Sequence, residues 1–95
     1  MTYAETLALA KAHNIDLGKL NTADEVAATF GTDHPQYEHI CTVIYAMWLK
    51  CDVSIQVWHL VASLQQLLDN EQITLENVLT LGDDYDKVVE NACYM

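Results

Sequence analysis

Four carboxylates crowd one short stretch near the end of the chain: Asp83, Asp84, Asp86 and Glu90. Acids this close together do one of three things. They ligate a cation, stabilise the start of a helix, or present negative charge to a partner. A calcium loop needs oxygen ligands at alternate positions around a central glycine. This stretch supplies too few such ligands and no such glycine, and Asp69-Asn70-Glu71 fails in the same way. Asp83 and Asp84 suit the amino terminus of a helix, whose dipole favours negative charge.

The other reactive side chains are sparse. His13, His34, His39 and His59 make no pair four residues apart and no His-Glu-x-x-His, so no zinc pattern is present. Ser54 and Ser63 are the only serines, and neither lies in Gly-x-Ser-x-Gly. Cys41 and Cys51 would need a histidine beside them to act as nucleophiles. Three glycines are too few for a phosphate-cradling loop. The expectation is a protein without cofactor or metal, and not an enzyme.

The distribution of charge says more. From Asp69 to Glu90 there are seven acids and one lysine, Lys87, so this stretch carries six of the ten net negative charges. Asp69, Glu71, Glu76, Asp83, Asp84, Asp86 and Glu90, with Tyr85 and Tyr94 nearby, are the candidate partner-binding residues. They would form an acidic, partly aromatic face for a basic protein surface, one that normally holds phosphate backbone or belongs to a toxin. The plain alternative is a solvated acidic surface. If the contact is instead apolar, Met47, Trp48 and Trp58 are its candidates, and a homodimer is a further arrangement the chain allows.

Composition bounds the rest. There is no arginine, the usual tool for phosphate and guanine recognition, so direct nucleic-acid binding is not expected. An anionic membrane would repel a chain of net charge −10. Three cysteines in no zinc spacing, and no basic-then-apolar leader, point to reduced thiols in the cytoplasm.

The elements that must hold these residues read as helices throughout one domain, residues 1–95. The organising stretch is Ile40–Leu49, ten residues of which only Thr42 is not apolar. Its flanks lack Gly and Pro from Gln36 to Lys50, so it is expected to be a buried central helix, with Pro35 in its first turn and Thr32 or Asp33 as caps. At about 22 Å it is too short to span a bilayer. Thr2-Tyr3-Ala4-Glu5 and Thr22-Ala23-Asp24-Glu25 read as capping boxes of two earlier helices, the second ended by Gly31. Ile55–Asp69 is expected to be helical, capped by Asp52 or Ser54, with Val57, Trp58, Leu60, Val61, Leu64, Leu67 and Leu68 as its apolar stripe. Gln56, His59 and Ser63 would lie mostly opposite. Thr74 caps a short helix ended by Gly82, and Asp83-Asp84 open the last. The expected architecture is therefore an all-α bundle of five to six helices around residues 36–50.

Ser54-Ile55-Gln56-Val57-Trp58-His59-Leu60-Val61 and Thr80-Leu81-Gly82-Asp83 resemble parts of the back half of acyl carrier proteins. The first is similar to the serine that opens the family's second helix, the second to the approach to its last helix. The resemblance covers about forty residues and implies a phosphopantetheine on Ser54. The chain departs from the family where Val53 interrupts the Asp-Ser pair and no glycine-containing loop precedes it.

Overall fold

The computed structural model describes Glu5, Ala8, Lys11, Ala12 and residues 22–51 and 55–94. Among them are five helices and no strand: α1 (Thr22–Phe30), α2 (Tyr37–Lys50), α3 (Val57–Asp69), α4 (Leu75–Leu79) and α5 (Asp83–Cys93). Glu5, Ala8, Lys11 and Ala12 also have helical backbone, while the expected first cap at Thr2 lies outside the described residues. No described helix is long and apolar enough to cross a membrane.

The apolar run forms the centre, as its composition demands. Ile40, Cys41, Thr42, Val43, Ile44, Tyr45 and Met47 of α2 are all buried. A helix apolar on every side must be covered on every side, and α2 is packed by α1, α3 and α4. Its one polar member is satisfied internally, since the Thr42 hydroxyl donates to the Glu38 carbonyl at 3.0 Å. Every element sends fully buried side chains inward: Val26 from α1, Ile40, Ile44 and Met47 from α2, Leu60 and Leu64 from α3, Val78 from α4 and Val88 from α5. Each such side chain stabilises the fold by roughly 1.5–3 kcal/mol relative to exposure.

Several expected helix ends are made by other residues. Thr22 is already helical and buried, and its hydroxyl has no hydrogen-bond partner among the described residues, so the second capping box does not form. Gly31 does end α1: it takes φ +86° and donates to the Ala27 carbonyl at 2.9 Å. Pro35 precedes α2 instead of entering its first turn, and neither Thr32 nor Asp33 caps it. His34 turns the chain there, its Nδ1 accepting from the Gln36 N–H at 3.1 Å and its carbonyl from the Tyr37 N–H at 3.0 Å. The helix α3 begins two residues later than expected, with Gln56 at the cap position and the Gln56 N–H donated to His59 Nδ1 at 3.3 Å. Asp52 and Ser54 lie outside the described residues.

Two helices stop on a left-handed residue that is not glycine. Glu71 (φ 56°) follows α3 and Leu81 (φ 61°) follows α4. Both use paired bonds back into the last turn: Gln72 N–H to Leu67 O and Glu71 N–H to Leu68 O, then Gly82 N–H to Asn77 O and Leu81 N–H to Val78 O. Gly82 is therefore not the left-handed terminator of α4. It has an extended ψ of −168° and stands at the cap position of α5. A Cβ there would come within 2.5 Å of Asn77 Oδ1, so a larger residue would have to displace the amide that accepts the Asp84 N–H.

The polarity of α3 also differs from expectation at two positions. Trp58 is 46% exposed and Ser63 is 0% exposed. One step along a helix turns about 100°, which carries Trp58 off the face shared by Val57, Leu60 and Leu64. Trp58 instead stacks on His59, ring centroids 3.9 Å apart, and donates its indole N–H to Gln56 Oε1 at 2.9 Å. Its counterpart Trp48 is half-buried, and its indole N–H donates to the Ile55 carbonyl at 2.8 Å, tying α2 to the approach to α3.

Candidate functional site

The acids from Asp69 to Glu90 sort into two groups. Asp84 and Asp86 already have partners within the fold. The Asp84 carboxylate accepts from the Thr74 N–H at 2.9 Å and lies 3.2 Å from Lys87 Nζ. The Thr74 N–H, then Lys87, hold its pKa below the usual carboxylate range. Asp86 pairs with Lys50 at 2.7 Å, joining α5 to the end of α2, where a lysine also suits the helix dipole. Lys50 Nζ stands 5.2 Å from the centre of the Tyr85 ring. Tyr85 is half-buried against the core, and burial, then Cys51 and Asp86, push its hydroxyl up to about 12.

Asp69, Glu71, Glu76, Asp83 and Glu90 form the second group. All five are exposed, and none makes an ion pair among the described residues. Lys50 and Lys87 already serve Asp86 and Asp84. On α5 the outward side carries Asp83, Asp86, Lys87 and Glu90, because Val88 and Ala92 face the core.

A shallow depression of about 260 Å³ lies between α3 and α5, lined by Leu67, Gln72, Lys87, Glu90, Asn91 and Tyr94. One of its lining residues, Asn91, belongs to a hydrogen-bond chain that sequence reasoning missed. Ser63, fully buried, donates its hydroxyl to the Val88 carbonyl at 2.8 Å. With its hydrogen used, that oxygen can only accept, so the amide nitrogen of Asn91 must face it, at 3.0 Å. The same nitrogen donates to Gln66 Oε1 at 3.0 Å. A serine between His59 and Leu67 on the edge of the α3 stripe was the available signal, and it reads equally well as a polar-face residue.

The other candidate chemistry is placed as follows. Among the described residues no three His, Cys, Asp or Glu side chains gather as a metal site would require. Cys41 is buried and its pKa is raised chiefly by that burial, which disfavours a thiolate. Met47 is fully buried and Trp48 half-buried, so of the three apolar contact candidates only Trp58 reaches the surface substantially. Ser54, the attachment residue implied by the carrier-protein resemblance, lies outside the described residues. No known protein family, curated protein or solved structure matches the chain.

Proposed function

We propose that this protein is a non-enzymatic interaction module whose acidic face takes a basic protein surface and thereby blocks or neutralises it. The residues that would carry it are Asp69, Glu71, Glu76, Asp83 and Glu90. The reading is carried by one observation: these five carboxylates are exposed without ion pairs among the described residues, while Lys50 and Lys87 are engaged with other acids. Concentrated like charge costs self-repulsion, and a complementary surface relieves it. Partners of this chemistry include nucleic-acid-binding proteins and basic toxins, so inhibitors of defence nucleases and immunity proteins are the functional types that fit.

The test begins with the immobilised protein, captured partners and their identification by mass. Association with a basic partner should be fast at low salt and slow as salt rises, since the Debye length falls from about 10 Å at 0.1 M to about 3 Å at 1 M. Asp69→Lys with Glu76→Lys should weaken binding mainly through the on-rate, with helix content unchanged by circular dichroism. Binding equal to wild type at both low and high salt would show that the acidic face is not the contact.

A further inference from the structure

The depression between α3 and α5 is lined by a carboxylate, a side-chain amide and an aromatic ring. At about 260 Å³ it falls below the roughly 300–1,000 Å³ of small-molecule sites and is better matched to one side chain. Glu90 contributes a carboxylate with no ion pair among the described residues. Tyr94 contributes a ring that is 83% exposed. Asn91 is oriented by its two bonds to Ser63 and Gln66, which occupy its nitrogen and leave its carbonyl oxygen as the remaining hydrogen-bonding atom. Carboxylate, carbonyl and aromatic face together suit a guanidinium, which is planar, carries several donors and stacks on aromatic rings. Lys87 is the one cation among the described lining residues, and Asp84 holds its ammonium at 3.2 Å.

We propose that this depression is an anchor site for one arginine side chain of a protein partner, bound by Glu90 and the Asn91 carbonyl and stacked on Tyr94. The proposal rests on the reading of the acidic face as a contact for a basic protein, and it names the residue that contact would seat. An arginine should be preferred to a lysine, because a compact ammonium cannot bond Glu90 and Asn91 in one plane while lying flat on Tyr94.

The probe is N-acetyl-arginine-N′-methylamide, titrated into the full chain and followed by NMR, with the lysine analogue alongside. The arginine probe should saturably shift the Asn91 side-chain amide and the Tyr94 ring resonances, and the lysine probe should do so severalfold more weakly. Glu90→Gln and Tyr94→Ala should each reduce the arginine response severalfold without altering the rest of the spectrum. Lys87→Met should strengthen it, by removing the competing cation. Equal responses to the two probes, shifts spread evenly over Asp69, Glu76 and Asp83, or no response at Asn91 and Tyr94 would each overturn the anchor site. A flat titration beside salt-sensitive binding of a basic protein would remove the anchor alone. A positive titration with no basic partner captured would remove the proposed function and leave the site.

Discussion

Asn77 and Asp84 cap each other's helices. The Asn77 amide oxygen accepts the Asp84 N–H at 2.8 Å, in the first turn of α5, and the Asp84 carboxylate accepts the Thr74 N–H at 2.9 Å, at the start of α4. Helix starts leave donors without intrahelical partners, and here two neighbouring starts satisfy one another across the Leu81-Gly82 turn. Asn77→Ala should therefore destabilise the protein by about 1–2 kcal/mol, as loss of a helix cap does. Gly82→Ala should also destabilise, because its Cβ would press on the Asn77 amide. The two effects should be strongly non-additive: Gly82→Ala should cost much less in the Asn77→Ala background, where the obstructing atoms are gone. Additive urea-unfolding energies would refute the close approach.

Asp84 also sets a pH dependence. Its folded pKa lies below the usual carboxylate value, chiefly through the Thr74 N–H. A depressed folded pKa gives stability that is present above the unfolded pKa and lost as pH falls through the folded one. Acid should thus weaken wild type more steeply than Asp84→Asn, which has no proton to take up at this site. Thermal melts from neutral pH to below the usual carboxylate range should show the two midpoints converging as pH falls. Parallel curves would mean that Asp84 is not the titrating group.

At the alkaline side Tyr85 has the opposite sign. Its folded pKa is about 12, raised mainly by burial, against about 10 for an exposed tyrosine. A raised folded pKa gives stability that is complete below the unfolded value and lost as pH rises from about 10 towards about 12. Tyr85→Phe should remove this part of the alkaline loss, measured by unfolding midpoints across that window.

The left-handed residues Glu71 and Leu81 are stabilisation sites. Each carries a side chain at φ near +60°, a conformation that costs roughly 1–2 kcal/mol for a residue with a Cβ. Part of that gain is offset by the greater freedom of glycine in the unfolded chain. Leu81→Gly and Glu71→Gly should each raise stability by about 0.5–1 kcal/mol, read from the urea midpoint. Leu81 is 65% exposed, so little burial is lost with it. A lowered midpoint for Leu81→Gly would show that its side chain contributes packing that outweighs the strain.

The two tryptophans should behave differently. Trp48→Ala removes a half-buried ring and the indole bond to the Ile55 carbonyl, and should cost about 3 kcal/mol. Trp58→Ala removes an exposed ring stacked on His59 and should cost less than about 1 kcal/mol. Ile44→Asp places an unpaired carboxylate at a site with no exposure and should abolish the folded state, visible as loss of the cooperative melt.

The all-helical class was legible from the capping signals and the lack of Gly and Pro between Gln36 and Lys50, and the central place of residues 37–50 from an apolar run with no face that water will accept. Thr74 as a cap and Gly31 as a terminator were legible too, since each acts on backbone within four residues of itself. Ser63 and Asn91 were not, because their bond joins positions twenty-eight apart and exists only once α3 and α5 are packed. The same holds for Asp84: local charge marks it as a surface acid, and only the approach of Thr74 makes it a cap. Gly82 shows the limit most plainly. Its sequence context fits a left-handed helix end, yet its backbone is extended and its neighbour is the Asn77 amide, and Leu81 bears the left-handed strain instead. Patterns set by backbone and solvent within a few residues are written in the chain, whereas the roles of individual polar side chains depend on neighbours that only tertiary packing supplies.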